Sequence, residues 1–280
     1  MKKDLKDCTF IIPIRIESDD RLRNVITVLC YLNSVFDTNI IVKEVDTESV
    51  FEKRALPQIQ EYCDGDIANI MHIFEQSDDP LFLREKILNE MLVMTQTNVI
   101  ANYDCDMILP IDTYVEAYEK IKEGKSDMVY PYGEGQGYLS KVNTSDTIVS
   151  DFLNDENYDL WILKKSSVPD NAGYGWIQFL NRDVYLEGGM ENENFMGSAP
   201  DDYERHHRFK TLGYRVDRIN SEVFHLEHSR GMNSYPQSMS QHPYWQHNWD
   251  LWCYLEKCGK EELLEYYSNQ KYLHKYRCWK

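Results

Sequence analysis

Paired cysteines, long apolar runs and internal repeats are all missing from this sequence of 280 residues. The seven cysteines are an odd number and form no Cys-x-x-Cys pair, so neither a zinc cage nor a disulfide framework is predicted. A reducing compartment, the cytoplasm, fits this cysteine usage best. The apolar run at residues 8–14 is too short for the core of a signal peptide or for a membrane span.

Basic residues are also scarce, with 30 Lys and Arg against 47 Asp and Glu and a net charge of -17. Nucleic-acid-binding surfaces are basic, so we expect no nucleic-acid partner. A small phosphorylated substrate stays compatible with this balance, because a few local basic residues and a metal ion can neutralise it. Aromatic residues are plentiful, with 20 Tyr and 6 Trp, which favours either sugar stacking or a tyrosine-rich core.

Apolar periodicity predicts an α/β fold. Residues 8–14 form a near-continuous apolar run, typical of a strand buried on both faces, and residues 21–36 have a helical period. Residues 39–45 read as a second strand, and this β-α-β order predicts a parallel sheet with crossover helices. Further helices are predicted at 81–94, 111–123, 182–187, 200–212, 244–257 and 261–276, and strands at 128–132, 175–180 and 223–226. The polar stretch 150–171 is predicted to be an irregular, mobile loop.

Two carboxylates one residue apart, Asp104 and Asp106, follow the apolar run at residues 99–101. Acids that end a buried strand are costly unless they are compensated, and a metal ion is the usual partner. Taken alone, the pair could equally be two solvated acids. Ligands of parallel sheets gather at the carboxyl ends of the strands, where Arg15 and one of the acids Glu44 or Asp46 would also lie.

Basic side chains occur at two places suited to a phosphorylated ligand. Arg15 ends the sequence Pro13-Ile14-Arg15 after the first strand, and Arg84 and Lys86 belong to Phe82-Leu83-Arg84-Glu85-Lys86. Each of these would singly be an ordinary surface charge. Together they could make charge-assisted contacts with phosphate oxygens.

The last cluster contains two acids and two histidines. Asp201 and Asp202 fall in the first turn of a helix predicted to start at Pro200, where acids also suit the helix dipole. His225 and His228 are three residues apart, on opposite faces of a strand. Both can therefore bind one metal only if the strand ends between them, and otherwise His228, in the loop, is favoured.

These clusters, in this order, resemble GT-A glycosyltransferases of the family 2 and family 7 kind, close to β1,4-galactosyltransferases and to bacterial capsule-biosynthesis glycosyltransferases. The resemblance covers residues 8–235. It implies a Rossmann-like nucleotide-diphospho-sugar transferase fold with a mixed, mostly parallel sheet flanked by helices. Residues 1–240 would form the GT-A domain, with a nucleotide-binding half at 1–110 and an acceptor half at 111–240, followed by a helical extension at 241–280.

The resemblance also implies roles for individual residues. Contacts with the nucleotide sugar are implied for Pro13, Arg15, Glu44, Phe82, Arg84, Lys86 and Asp104. Metal ligands are implied to be Asp106, His228 and His225. Asp202 would be the catalytic base, and Asp201 would bind acceptor hydroxyls.

The sequence departs from the family pattern at several of these places. Met196 and Ser198 stand where the family has tryptophans, and Ala199-Pro200 replaces a glycine pair, so the loop and the acceptor identity differ from the pattern. His225 replaces a methionine, which makes the site more hospitable to Mn²⁺, with Mg²⁺ as the other candidate.

The implied function is a metal-dependent, inverting glycosyltransferase. It would move galactose or N-acetylgalactosamine from a UDP-sugar to a saccharide or lipid-linked saccharide acceptor, in surface polysaccharide or glycoconjugate synthesis. A nucleotidyltransferase is one alternative, but it usually has a glycine-rich loop after the first strand, and residues 15–18 contain no glycine. The other alternative is a catalytically silent sugar-binding protein on the same fold.

The end of the chain, residues 271–280, is basic and aromatic in an otherwise acidic protein. One interpretation is peripheral contact with the inner face of an anionic membrane, which would suit a lipid-linked acceptor. The other is a solvated helix end whose aromatic side chains pack inward.

Overall fold

The computed structural model describes residues 2–197 and 199–277. Eleven strands are found in these residues: β1 (Lys3–Ile14), β2 (Phe36–Asp46), β3 (Ile70–Gln76), β4 (Val99–Tyr103), β5 (Met107–Ile108), β6 (Met128–Tyr130), β7 (Gly135–Val142), β8 (Ser167–Ala172), β9 (Ile177–Asn181), β10 (Val216–Arg218) and β11 (Val223–Leu226).

The α-helices in the same residues are α1 (Asp19–Val35), α2 (Leu56–Tyr62), α3 (Arg84–Met94), α4 (Ile111–Lys122), α5 (Asp146–Leu153), α6 (Trp161–Lys164), α7 (Arg182–Glu187), α8 (Asp201–Leu212), α9 (Ser238–Gln241), α10 (Trp245–Leu255), α11 (Lys260–Ser268) and α12 (Lys271–Arg277). A π-helical turn, Phe51–Ala55, runs directly into α2.

The large sheet has seven strands in the order β10-β6-β9-β4-β1-β2-β3. Strand β9 is antiparallel to both of its neighbours, and the other pairs are parallel, so the sheet is mixed and mostly parallel as predicted. Residues 8–14 of β1 are buried because helices cover both faces of the central strands. Strands β1, β2 and β4 therefore end at one common edge, which brings Ile14, Asp46 and Tyr103 to the same side.

A second sheet of four strands has the order β5-β11-β7-β8. Strand β5 follows β4 across the turn that contains Asp104 and Asp106, so the small sheet is attached where β4 ends. Strand β11 is antiparallel to β5 and parallel to β7. Its pairing with β5 carries the late part of the chain back to the Asp104–Asp106 turn.

The predicted irregular loop at 150–171 is wrong. This stretch contains the end of α5, all of α6 and most of β8. Phe152, Leu153 and Leu163 are buried and anchor these elements. Helix α5 does carry apolar residues at helical spacing, Val149, Phe152 and Leu153, and Ser145 caps it by accepting from the Ile148 N–H at 3.3 Å. The four-residue α6 is too short to show a period.

Helix α8 ends as predicted, at Gly213 with φ +95. The predicted last helix, 261–276, is broken into α11 and α12 at residues 269–270. The break lets Tyr267 and Tyr272, on either side of it, both be buried.

In α12 the aromatic side is turned inward. Tyr272, Leu273 and Tyr276 are buried, and Lys271 and Lys275 are exposed, which favours the packing interpretation of the basic aromatic stretch. Residues 278–280 of that stretch lie outside the described part of the chain. Within the described part, no helix has the length and apolar character needed to span a bilayer.

Candidate active site

Asp106, His225 and His228 converge where the two sheets meet. Asp106 lies in the turn between β4 and β5, and His225 in β11 pairs with Met107 of β5. Strand β11 ends at Leu226, between the two histidines, so His228 can turn back toward the same point. Nε2 of His228 lies 2.9 Å from Oδ2 of Asp106, and Nε2 of His225 lies 3.6 Å from it.

The other nitrogen of each imidazole is occupied by a neighbour. Nδ1 of His225 lies 2.7 Å from Oε1 of Glu227, and Nδ1 of His228 lies 2.8 Å from the carbonyl oxygen of Ser229. Such contacts fix the ring orientation of metal-binding histidines. Here they direct both Nε2 atoms toward Asp106.

The electrostatics of this group are those of a charged cluster. Burial lowers the pKa of His225, but Asp106 and Glu227 outweigh burial and raise this pKa to about 9. Burial raises the pKa of Asp106, but the two histidines outweigh it and hold the pKa well below its usual range. The cluster therefore keeps Asp106 ionised.

A divalent cation fits these residues. The three ligand atoms lie within 4.8 Å of one another. Oδ1 of Asp106 is buried and has no hydrogen-bond partner among the described residues. One carboxylate and two imidazoles form a donor set that suits Mn²⁺ and similar ions.

A cleft opens in front of the three ligands, and the arginines Arg15, Arg21, Arg84 and Arg230 line it together with the carboxylates of Glu17, Asp104 and Asp106. Pro13 lines the cleft where β1 ends, and the Arg15 guanidinium lies 5.5 Å from the centre of the Phe82 ring. Four arginines against three carboxylates make this cleft locally cationic in an acidic protein.

Arg15 connects three segments at the edge of the sheet. Its Nε donates to the carbonyl oxygen of Val45 at 2.8 Å, and its Nη1 donates to that of Pro80 at 3.1 Å. Its Nη2 is buried and has no partner among the described residues. Arg15 is thus held in place with one donor nitrogen still available.

Sequence reasoning missed Arg21 and Arg230. Arg21 projects from the first turn of α1 and donates to Oγ of Ser234 at 2.6 Å. Arg230 lies 3.4 Å from Glu227, which itself contacts His225. The available signals were an arginine in a helical turn just after the first strand and another two residues after His228.

Arg84 ties the first acid pair to the second. Its Nη2 and Nε donate to Oδ1 of Asp104 at 2.7 and 3.1 Å. Its Nη1 lies 3.7 Å from Oδ2 of Asp201. The guanidinium therefore lies between the turn that carries the metal ligand Asp106 and the start of α8.

Asp201 is held by a buried ionic network. Nη1 of Arg205 lies 3.7 Å from Oδ2 of Asp201 and 2.6 Å from Oε2 of Glu191, and Glu191 also accepts from the Tyr185 hydroxyl. Arg205 and Glu191 are almost completely buried. With Arg84, this network gives Asp201 two cationic neighbours.

Asp202 has a different environment. Its Oδ1 accepts from the N–H of Tyr203 at 2.9 Å. Burial, and then the neighbouring charge of Asp201, raise the pKa of Asp202 to about 7. Asp202 lines a second cavity, here called the acid recess, with Arg84, Asp201 and Arg205. A carboxylate with this pKa can take up a proton near neutral pH.

The cleft and the acid recess share a boundary formed by Arg84, Asp104, Trp176 and Asn233. Sequence reasoning missed Trp176. The available signal was a tryptophan next to two glycines, in Gly173-Tyr174-Gly175-Trp176, in a short link between strands.

Two residues predicted to contact the nucleotide, Glu44 and Lys86, do not line the cleft. Glu44 is buried and accepts from Oγ of Ser49 at 2.6 Å and from the N–H groups of Val50 and Phe51 at 2.9 and 3.0 Å, so it caps the π-helical turn. Asp46, the alternative, lines a recess that also contains Arg15.

Lys86 does not line the cleft. Its Nζ lies 3.6 Å from Glu90 on the next turn of α3, and its side chain is 39% exposed. Neither Glu44 nor Lys86 therefore lines the cleft, because the backbone amides of the π-helical turn hold Glu44 and Lys86 pairs with Glu90.

No protein-family model and no curated protein sequence matches the chain. Solved structures do match. The mannosyltransferase PcManGT from Pyrobaculum calidifontis, in complex with GDP-Man and Mn²⁺, has a TM-score of 0.55 and 13% identity, over 96% of this chain and 70% of that chain. GalNAc-T7 with UDP, GalNAc and Mn²⁺ has a TM-score of 0.59 and 11% identity, over 93% of this chain and 50% of that chain. These likenesses confirm the predicted GT-A fold.

Proposed function

We propose that the chain is a metal-dependent glycosyltransferase that moves a hexose from a UDP-sugar to a saccharide acceptor. The observation that carries the proposal is the placement of a three-ligand metal group and a carboxylate of raised pKa on the two sides of one boundary. A metal-dependent glycosyl transfer uses both groups, one beside the leaving diphosphate and the other beside the attacking hydroxyl.

On the donor side, the diphosphate would lie in the cationic cleft. Asp106, His225 and His228 would hold the metal ion, which as a Lewis acid supplies charge neutralisation to the leaving group. Nη2 of Arg15, buried and without a partner among the described residues, is suited to a phosphate oxygen. The nucleoside would extend toward Asp46, in the recess that Arg15 also lines.

On the acceptor side, Asp202 would act as the general base. It would take the proton of an acceptor hydroxyl while that oxygen bonds to the anomeric carbon and the bond from this carbon to the diphosphate oxygen breaks. The separation of Asp202 from the cleft by the shared boundary supports attack from the far side, which inverts the anomeric configuration. Asp201, held by Arg84 and Arg205, would bind a second acceptor hydroxyl.

The donor is proposed to be UDP-galactose or UDP-N-acetylgalactosamine, and the acceptor a saccharide of a surface polysaccharide or glycoconjugate. The neighbouring structures were solved with different nucleotides, GDP-Man in one and UDP in the other, so the test must include both bases.

The test is thermal stability and hydrolysis with UDP-glucose, UDP-galactose, their N-acetylhexosamine counterparts and GDP-mannose, each with Mn²⁺, Mg²⁺ or EDTA. We expect Mn²⁺-dependent stabilisation by at least one UDP-sugar and slow release of UDP from it. Asp106→Asn should abolish both effects, and Asp151→Asn, at an exposed position of α5, should abolish neither.

Three outcomes would contradict the proposal. Stabilisation by no nucleotide sugar would exclude a transferase of this kind. Pyrophosphate release from a nucleoside triphosphate and a sugar phosphate would identify a nucleotidyltransferase. Binding with no turnover, unchanged by Asp202→Asn, would identify a silent sugar-binding protein.

A further inference from the structure

The link between β8 and β9 carries Trp176 in an unusual backbone conformation. Its φ is +70, a region that residues other than glycine rarely adopt. The conformation is held by hydrogen bonds: the N–H of Asp104 donates to the carbonyl oxygen of Trp176 at 2.9 Å, and the Tyr132 hydroxyl donates to that of Gly175. Strain of this kind persists where surrounding structure enforces it, often at functional sites.

Trp176 occupies the boundary between the cleft and the acid recess. The other boundary residues are engaged with each other or with backbone: Arg84 pairs with Asp104, and Asn233 bonds to the backbone of Phe82 and Pro80. Of the described residues that line both cavities, Trp176 is the aromatic one. It therefore contributes apolar surface at a boundary that is otherwise polar.

The same link also lies beside the proposed base in the acid recess. A Cβ built on Gly175 would lie 3.4 Å from Oδ2 of Asp202. The Trp176 ring packs against Tyr132, with ring centres 5.6 Å apart. These contacts fix the Trp176 ring in place. Asp104 bonds to the Trp176 backbone, and Asp202 lies beside the preceding residue, so the ring stands between the proposed diphosphate site and the proposed base.

We propose that Trp176 binds the donor sugar by stacking its indole ring on the pyranose being transferred. The inference rests on the proposed function, because it places the transferred sugar between the diphosphate and Asp202. The C–H face of a pyranose is apolar and packs on an aromatic ring, while its hydroxyls remain free to bond to polar neighbours.

The charges of the acid recess narrow the sugar class further. Asp104, Asp201 and Asp202 line it, and its arginines, Arg84 and Arg205, are already paired with carboxylates. A sugar that carries its own carboxylate would add a further negative charge to a recess in which three aspartates already face two arginines. We therefore expect Trp176 to stack on an uncharged hexose, and a UDP-uronic acid should bind poorly.

The test compares UDP with the UDP-hexose that stabilises the wild-type protein most, in the presence of Mn²⁺, by calorimetric titration. Trp176→Ala should leave the affinity for UDP within twofold and weaken the UDP-hexose by ~3–10-fold, the range expected for one lost aromatic contact. Trp176→Phe should restore part of the loss. Trp161→Ala, at an exposed position of α6, is the matched control and should change neither affinity.

A second variant separates this role from a structural one. Trp176→Gly removes the side chain where φ is +70, so the melting temperature should hold or rise while UDP-hexose affinity falls. A merely structural tryptophan would instead lower the melting temperature and weaken UDP and UDP-hexose equally, which would overturn the inference.

The remaining outcomes are also decisive. If wild-type protein binds UDP-hexose and the Trp176 variants bind it equally well, the inference fails and the proposed function stands. If UDP-glucuronic acid binds as tightly as UDP-glucose, the restriction to uncharged sugars is wrong. If no nucleotide sugar binds the wild-type protein, the proposed function and this inference fail together.

Discussion

Two pairs of acids in this protein are arranged alike, but the pKa of the second acid is lowered in one pair and raised in the other. In the pair Asp104 and Asp106, and again in the pair Asp201 and Asp202, the first acid contacts Arg84 and the second is left for chemistry. Arg84 is therefore shared between two acid pairs from distant parts of the sequence.

The second acids differ because their neighbours differ. Two histidines hold the pKa of Asp106 well below its usual range against the effect of burial, so this carboxylate is an ionised ligand. Burial and the charge of Asp201 raise the pKa of Asp202 to about 7, so this carboxylate can exchange a proton. The comparison teaches that the surroundings of an acid, more than its place in a motif, decide its chemistry.

Asp106→Asn should have the largest effect on metal binding and turnover, because it removes the only carboxylate of the ligand group in the described chain. Mn²⁺ binding by calorimetry and turnover should both fall below detection, beyond the ~10²–10⁴-fold that general base catalysis supplies. Asp151→Asn serves as the control. Turnover that survives in Asp106→Asn would remove the metal from the reaction.

Asp202→Asn should lower turnover by ~10²–10⁴-fold and leave Mn²⁺ and UDP affinity unchanged, since it breaks only the second pair. The folded-state pKa of about 7 lies above the usual value for an aspartate. The stability that this group contributes is therefore present at low pH and lost as pH rises through 7. The variant should melt at a higher temperature than wild type at pH 8, and a lower one there would contradict the raised pKa of Asp202.

Glu227→Gln tests the environment of the first pair without removing a ligand. Glu227 contacts Nδ1 of His225, and outer contacts of this type are worth ~10–100-fold in metal affinity. We expect the affinity for Mn²⁺ to fall by this factor. Turnover at saturating Mn²⁺, which depends on Asp202 as the base, should not change. Glu222→Gln, at a carboxylate just before β11 that pairs with Lys164 of α6, is the control.

The pH dependence of turnover should show whether Asp202 exchanges a proton near neutral pH. Below pH 7 the ionised fraction of Asp202, and with it turnover at saturating metal, should fall about tenfold per pH unit. Asp201→Asn removes a neighbouring negative charge and should move this acid limb to lower pH. A limb that stays in place would mean that Asp201 does not influence Asp202.

Lys86→Ala should have the smallest effect. Its exposed pair with Glu90 is worth ~0.3–0.5 kcal/mol of unfolding free energy, and it touches neither acid pair. Turnover should stay within twofold of wild type. A large loss would return Lys86 to the nucleotide contacts that the family resemblance implies.

Elements with a regular apolar pattern could be predicted from the sequence, even where they are short. Helix α7 and strand β11 have the predicted bounds, and the buried run in β1 indicated a sheet covered on both faces. Half-exposed elements without a regular apolar pattern could not be predicted. Strand β3 at the edge of the large sheet and strand β7 in the small one depend on partners that the local pattern does not reveal.

The candidate site could be predicted in part, for a related reason. His225 and His228 could share one metal only if their strand ended between them, and β11 does end at Leu226. The double role of Arg84 and the position of Trp176 depend on contacts between segments far apart in the chain. The position of Glu44 outside the cleft has the same origin, because its partners are amides of a π-helical turn for which the sequence shows no pattern.

The pairing of β5 with β11 involves only two residues of each strand, yet it brings His225 toward Asp106. One more bond supports it, from the N–H of Leu226 to the carbonyl oxygen of Asp106 at 2.7 Å. So short a ladder can open by local unfolding while the large sheet stays intact, and a bound ion would oppose that opening. Hydrogen exchange at the Leu226 amide would then report, without any substrate, whether the ligand group is assembled.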